Sequence, residues 1–246
     1  MTMTARAARP DRAAQAGRRP PSRPQPLSRQ QVLRGALDYV DRHGLAALSM
    51  HKLGAALGVR AMSLYKYVAG KDDLLDGIVG LLWAEIRADP PAADWREAVR
   101  QLAGSLRDLV HRHPAAAPLL TSRQGLLEQP LLICQAVLRL MREDGVPEQP
   151  GVALLRTVFP YGIGYALAEL SLPPPPAPGP CREISLIRDV ARLLPAQAPD
   201  DLVRTALLVC GDCDAASQFR IGVDLMIRGL DACLSAPSAR PPAAEC

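Results

Sequence analysis

Several patterns are missing from this sequence of 246 residues. No window approaches the ~18 uninterrupted apolar residues of a membrane-spanning helix, so no transmembrane segment is expected. The Arg- and Pro-rich start contains no apolar stretch of the kind a secretory signal needs. Cysteine is sparse. Six residues make no disulfide scaffold, and without an export signal they read as reduced thiols of a cytoplasmic protein. No stretch alternates apolar and polar residues between turn signals, so strands are not expected. Neither a G-x-S-x-G elbow nor a glycine-rich phosphate loop is present. Cys210-Gly211-Asp212-Cys213 is a C-x-x-C, but no second pair follows at zinc-ribbon spacing and no βαβ pattern surrounds it. His111 and His113 lie two apart on a helical stretch, about 200° apart around its axis, and cannot share a metal. No catalytic residue, cofactor or metal site is expected.

What is present is a globular composition, 48% hydrophobic and 22% charged, able to bury a core. The net charge of +4 hides an asymmetry. Residues 1–26 carry six arginines against one aspartate, and residues 27–70 carry six basic side chains against two acidic ones. The remainder is acidic. A basic front end on an acidic body points the front end at a polyanion. Charge alone suits nucleic acid and an anionic membrane surface equally.

Residues 1–26 combine five prolines and six arginines with no large apolar side chain besides methionine, the composition of a disordered tail. Order is expected from Leu27. Ser28 and Gln31 form a capping box, and Leu27 and Val32 take the hydrophobic-staple positions. Val32, Leu33, Ala36, Leu37 and Val40 then recur at helical spacing, with Gly44 behind the last turn. Ser49 caps a short helix ending near Leu57, and Gly58-Val59 is a tight turn. A third helix spans Arg60 or Ala61 to Val68, and a fourth runs from Lys71 to Pro90. Two short helices joined through a glycine-containing turn outline a helix-turn-helix.

The rest reads as helices too. Asp94 caps one that stops before Pro114, and a short segment spans 115–122. Others run from Pro130 to Asp144 and from Pro150 to about Leu170, the latter kinked at Pro160. PPPPAPGP at 173–180 reads as a stiff linker. Helical patterns resume at 182–194, 201–209 and Ala215–Leu234, and 236–246 is a frayed tail. The expected fold is all-α. A helix-turn-helix domain occupies 27–72 and a larger ligand-binding and dimerisation domain occupies 73–235.

The core candidates of the front unit are Val32, Leu37, Val40, Leu53, Leu57, Leu64 and Val68. Setting Leu64 and Val68 inward leaves Arg60, Met62, Ser63, Tyr65, Lys66 and Tyr67 for an outer face. Serine and tyrosine hydroxyls can donate to phosphates, and Lys66 can reach a phosphate or a guanine edge. Lys71 opposes the dipole at the start of its helix, a placement that suits a phosphate clamp. The alternative is a lysine answered by Asp72 or Asp73.

Residues 28–76 resemble the DNA-binding domain of the tetracycline-repressor (TetR) family. HGLAALSMHKLGAALGV, SLYKYVAGKDDLL and the spacing between them carry the resemblance. DWREAVRQLAGSLRDLVHRHP (94–114) and FRIGVDLMIRGLDACL (219–234) resemble the fifth and last helices of tetracycline repressors. The resemblance implies base contacts from His51, Ala61, Met62 and Lys66, and phosphate contacts from Ser63, Tyr65, Tyr67 and Lys71. His51 stands where tetracycline repressors have Arg, and Lys66 where they have Trp, so their operator sequence does not carry over.

The resemblance also implies a homodimer joined through the last two long helices. The stripe Phe219, Val223, Met226, Ile227, Leu230 and Leu234 is wide enough for a partner face. Ile163, Leu167 and Leu170 are expected to pack with it, and Gly162 and Gly164 to allow close approach. A small-molecule effector is expected among helices four to eight, near Trp83, Arg87, Arg107, Phe159, Tyr161, Tyr165 and Glu169. Tetracycline repressors hold a magnesium–drug chelate through a His just after the fifth helix. That position falls near Leu119 here, and the helping acidic residue falls at Ala168, beside Glu169. Tetracycline is therefore not the expected ligand. The function expected is a homodimeric repressor that leaves a palindromic operator in double-stranded DNA when a small molecule binds. A ligand-independent regulator or activator, and a helical binding protein or enzyme on the same scaffold, are the alternatives.

Overall fold

The computed structural model describes residues 27–87, 92–123, 127–171, 194–195, 197–210 and 214–235. The expectations for 1–26, 173–180, 182–193, the Cys210–Cys213 pair and 236–246 lie outside the described residues. Among the described residues the regular elements are all helical: α1 (Arg29–His43), α2 (Met50–Ala56), α3 (Ala61–Leu64), α4 (Lys71–Ala84), α5 (Trp95–Arg112), α6 (Leu119–Ser122), α7 (Glu128–Glu143), α8 (Glu148–Ser171), α9 (Asp200–Cys210) and α10 (Ala215–Ser235), with a 3-10 turn at Leu45–Ala47.

The front unit starts at the Ser28 capping box. The Gln31 backbone N–H donates to Ser28 Oγ at 3.2 Å, and the Ser28 N–H donates to Gln31 Oε1 at 2.8 Å. Val32, Leu33, Ala36, Leu37 and Val40 of α1 are buried. They meet Leu53, Leu64 and Val68 in an aliphatic core that Leu57 partly joins. Gly44 ends α1 at φ +80°, and Ser49 Oγ caps α2 by accepting from the Lys52 N–H. Two glycines shape the corner between α2 and α3. Gly58 sits at φ +67°. A Cβ on Gly54 would lie 2.9 Å from Val59 O and 3.0 Å from Ala61 N, so only glycine lets the two helices approach this closely.

The third helix is shorter than its pattern suggests. α3 ends at Leu64, and Tyr67 N–H bonds back three residues to Leu64 O at 2.9 Å. The chain then tightens into turns before α4, so Tyr65, Lys66 and Tyr67 leave a turn rather than a helix face. α4 ends at Ala84, before Pro90. α7 and α8 each begin two residues before the expected proline; Pro130 and Pro150 sit in first turns, where no intrahelical N–H bond is lost.

The body is built on α5 and α8, which share the most extensive helix packing, with α7 and α10 laid against both. α5 buries Trp95, Val99, Leu102, Leu106, Leu109 and Val110 along one stripe. α8 runs through Pro160 as one helix of 24 residues. An 18-residue window of α8 reaches a mean hydropathy of 1.2, long and apolar enough by composition to cross a membrane. That character serves packing here, since Leu154, Leu155, Val158, Gly162, Ile163 and Ala166 are buried against neighbouring helices. Gly162 lies so close to α5 that a Cβ would stand 2.9 Å from Leu106 Cβ. α4 belongs to both units. It packs on α1 and also on α6 and α7.

Four of the six residues of the α10 stripe expected to face a partner face inward, while Met226 is half-buried and Leu234 exposed. Phe219, Val223, Ile227 and Leu230 are buried within the chain, against α5 and α8. Periodicity marks the apolar face, and neighbouring helices of the same chain cover most of it. Two further apolar residues of α10, Ile221 and Leu225, are 49% and 62% exposed.

Candidate nucleic-acid interface

The outer residues of the helix-turn-helix are built by α2, α3 and the turn into α4. His51 opens α2 and is exposed. Met62, on α3, is 76% exposed. Tyr65 is 48% exposed, and Lys66 and Lys71 are exposed as well. Ala61, Ser63 and Tyr67 are partly exposed, and the Tyr67 ring packs against the core. Leu64 and Val68 turn inward as expected. Arg60, expected on this face, is exposed, and Lys52, which the sequence pattern did not single out, adds another exposed cation. The position of Lys52 in the first turn of α2 was a legible signal.

The acidic residues next to Lys71 are engaged elsewhere. Asp73 takes a two-pronged bond from Arg29, at 2.7 and 2.9 Å, and a third bond from the Ala69 N–H. These donors, Arg29 first, hold its carboxyl at about 2. Arg29 also donates to Tyr67 O at 2.7 Å, fixing the turn that carries Lys66. Asp72 and Asp76 both bond Arg123, which follows α6. Among the described residues, Lys52, Arg60, Lys66 and Lys71 have no carboxylate partner. The alternative of a Lys71 answered by Asp72 or Asp73 is not what the structure contains.

The residues expected around an effector fall into separate places. Trp83 of α4 is buried and packs at 5.8 Å from the Phe159 ring of α8. Arg107, Tyr161, Tyr165 and Glu169 meet between α5, α8 and α10. Arg107 grips Glu169 through bonds of 2.9 and 3.1 Å, and His111 Nε2 lies 2.7 Å from the same carboxylate. Arg107 also lies over the Phe219 ring. Tyr161 stacks on Phe219 and Tyr165 meets it edge-on, and their hydroxyls donate to the Phe219 and Ala215 carbonyls. Burial and the neighbouring Tyr165 and Glu169 raise the Tyr161 hydroxyl above its ordinary range. Arg87 stands apart from both groups. It lines a groove of about 430 Å³ with Glu85, Ile86, Gln101, Leu102, Gly104, Ser105, Asp108, Ile133 and Val137, between the end of α4, α5 and α7. Leu119, near the position expected for the tetracycline repressors' metal ligand, is buried and apolar.

The model of the tetracyclin repressor-like C-terminal domain matches residues 88–234. The repressor DrrR1 of Streptomyces coeruleorubidus is 34% identical over 157 residues, 63% of this chain and 58% of its own length. The chain thus spans less than two thirds of that relative. The class D tetracycline repressor of Escherichia coli is 28% identical over 218 residues, 85% of this chain and 92% of its own. Among solved structures, the TetR family protein ActR of Streptomyces coelicolor in complex with actinorhodin superposes with a TM-score of 0.70 at 25% identity, over 86% of this chain and all of ActR. These relatives are transcriptional regulators rather than enzymes. The helix-turn-helix, the all-helical body and these matches agree, and the chain belongs to the TetR family of transcriptional regulators.

Proposed function

We propose that the protein is a homodimeric DNA-binding repressor that leaves a two-fold operator when a small molecule occupies its body. The observation that carries this reading is the group of free cations on the helix-turn-helix. Lys52, Arg60, Lys66 and Lys71 have no carboxylate partner among the described residues, while Asp72, Asp73 and Asp76 are held by Arg123 and Arg29. Phosphates are the natural partners of such cations. Met62 and His51 would meet base edges, and Ser63, Tyr65 and Tyr67 would help set the register on the backbone. It acts in the cytoplasm.

The outer faces of α8 and α10 support a two-fold assembly. Ile221, Leu225, Gly229 and Ala232 are exposed on α10, and Ala153, Thr157, Pro160, Gly164 and Ala168 on α8. Small residues on one helix beside exposed aliphatics on the other suit a close helix–helix seam between two copies. The groove beside Arg87 is the proposed effector site. It combines apolar walls at Leu102, Ile133 and Val137 with polar groups at Ser105, Asp108 and Arg87. The ActR complex with actinorhodin and the repressor name of DrrR1 support a ligand-responsive reading. An occupant would favour one setting of α4, which lines the groove's edge and carries Lys71, and so change the spacing of the two reading helices.

The test is anisotropy of labelled DNA from upstream of the protein's own gene, with light scattering of the free protein. A dimeric mass and specific binding of two protomers per site are expected. A monomer that binds this DNA no better than unrelated DNA would overturn the reading.

A further inference from the structure

Reader and body meet a second time at the far end of α1. His113 ends α5, and its ring lies between two carboxylates from other elements. Nδ1 is 2.7 Å from Asp41 Oδ2 of α1, and Nε2 is 2.9 Å from Glu85 Oε1, just after α4. The His113 side chain is 15% exposed. Asp41 Oδ1 is buried without a hydrogen-bond partner, so the bond to His113 is the one that answers this carboxylate among the described residues. Glu85 is better supplied, since Arg112 also donates to it at 3.1 Å. One imidazole therefore ties together the ends of α1, α4 and α5.

Both bonds require hydrogen on both ring nitrogens. A neutral imidazole has one N–H and one lone pair. In this site the lone pair would face a carboxylate oxygen at under 3 Å with no proton between them. The charged groups facing the ring are Asp41 from α1, Glu85 from the end of α4 and, on its own helix, Arg112 beside Glu85. On loss of one proton the remaining hydrogen belongs on Nδ1, because Asp41 has no other donor and Glu85 keeps Arg112. The link that opens is then the one between His113 and Glu85.

We propose that His113 is a proton-dependent latch: doubly protonated, it bridges the end of α4 to α1 of the reader, and on losing a proton it gives up its bond to Glu85, leaving Arg112 as the tie between the end of α4 and α5. Glu85 and Ile86 also line the effector groove, so the latch state changes the groove's rim. His113 is a positioning residue, and its action does not depend on which DNA or effector the protein binds.

Hydrogen exchange of the full-length protein tests this directly, read on peptides covering residues 80–87 and corrected for intrinsic exchange. In wild type, protection there should be about tenfold higher at about pH 6 than at about pH 8.5, the difference made by one bond to a charged group. In His113→Gln the same peptides should be weakly protected at both pH values. Glu85→Gln, which removes the carboxylate and keeps the ring, should also lose the pH response, and decides the matter if His113→Gln does not fold. His111→Gln should keep it. A flat profile in wild type would overturn the proposal. So would a pH response that survives in His113→Gln or Glu85→Gln, or one that disappears in His111→Gln.

Discussion

Lys66 and Lys71 stand in solvent without a carboxylate partner among the described residues, whereas Arg96, Arg100 and Arg107 each close on a carboxylate of another helix. The first pattern belongs to the helix-turn-helix and the second to the body. Cations that answer carboxylates of the same chain hold helices together and have little left for a ligand. Cations left unanswered on a rigid three-helix unit keep their charge for an anion. Arg29 and Arg123 join the two patterns: by binding Asp73 and the Asp72–Asp76 pair, they withdraw the negative charge nearest Lys71.

The double change Lys66→Glu, Lys71→Glu should break this contrast most strongly. Operator affinity should fall on the order of 100-fold, because two cationic contacts become repulsive. The thermal midpoint should stay within a degree or two of wild type, since neither side chain holds a folded contact. Anisotropy and calorimetry on one preparation read both. Arg107→Ala should do the opposite. It leaves Glu169, 8% exposed at its side chain, with His111 as its remaining partner, and should cost about 1–3 kcal/mol in denaturant unfolding. The DNA salt slope should not change.

Acid gives a smaller effect. The Asp73 carboxyl, at about 2 in the fold, lies below its ordinary 3.8, so its link to Arg29 is intact above that ordinary value and is lost as pH falls towards 2. Stability should therefore drop as pH falls from about 4 towards 2, and Arg29→Ala should flatten that limb of the profile. Smallest of all, Arg100→Ala should shift stability by less than about 1 kcal/mol. Its pair with Asp224 is half exposed and screened by solvent.

Much of the reader was legible in the sequence because its determinants are local. The Ser28–Gln31 capping box, the Ser49 cap and Gly44 each act within a few residues, and the 3.6-residue period marks Val32 to Val40 as buried. The length of α3 was less legible. Nothing between Ser63 and Val68 forbids a helix; the turn is fixed from outside, by Arg29 on Tyr67 O and by Asp73 on the Ala69 N–H. In the body, periodicity found the apolar stripe on α10 but not its neighbour, since an apolar face carries no label saying which surface will cover it. The Arg107–Glu169 pair spans 62 residues and the Asp41–His113 bond 72. Such contacts follow from how helices stack, which single-helix patterns do not encode. Packing divides the seven candidate effector residues between an aromatic contact, an ion-paired layer and a groove, a division that side-chain type does not reveal.

The most direct test of the central claim is the salt dependence of DNA binding by wild type and Lys71→Ala, measured by anisotropy around ~0.15 M salt with unrelated DNA as competitor. If Lys71 is kept free for a phosphate, the variant should bind every sequence more weakly, and the slope of log affinity against log salt should be shallower by about one. An unchanged slope, with affinity equal to wild type, would contradict the account: Lys71 would be a solvated surface charge, and the withdrawal of Asp72 and Asp73 would have no bearing on DNA.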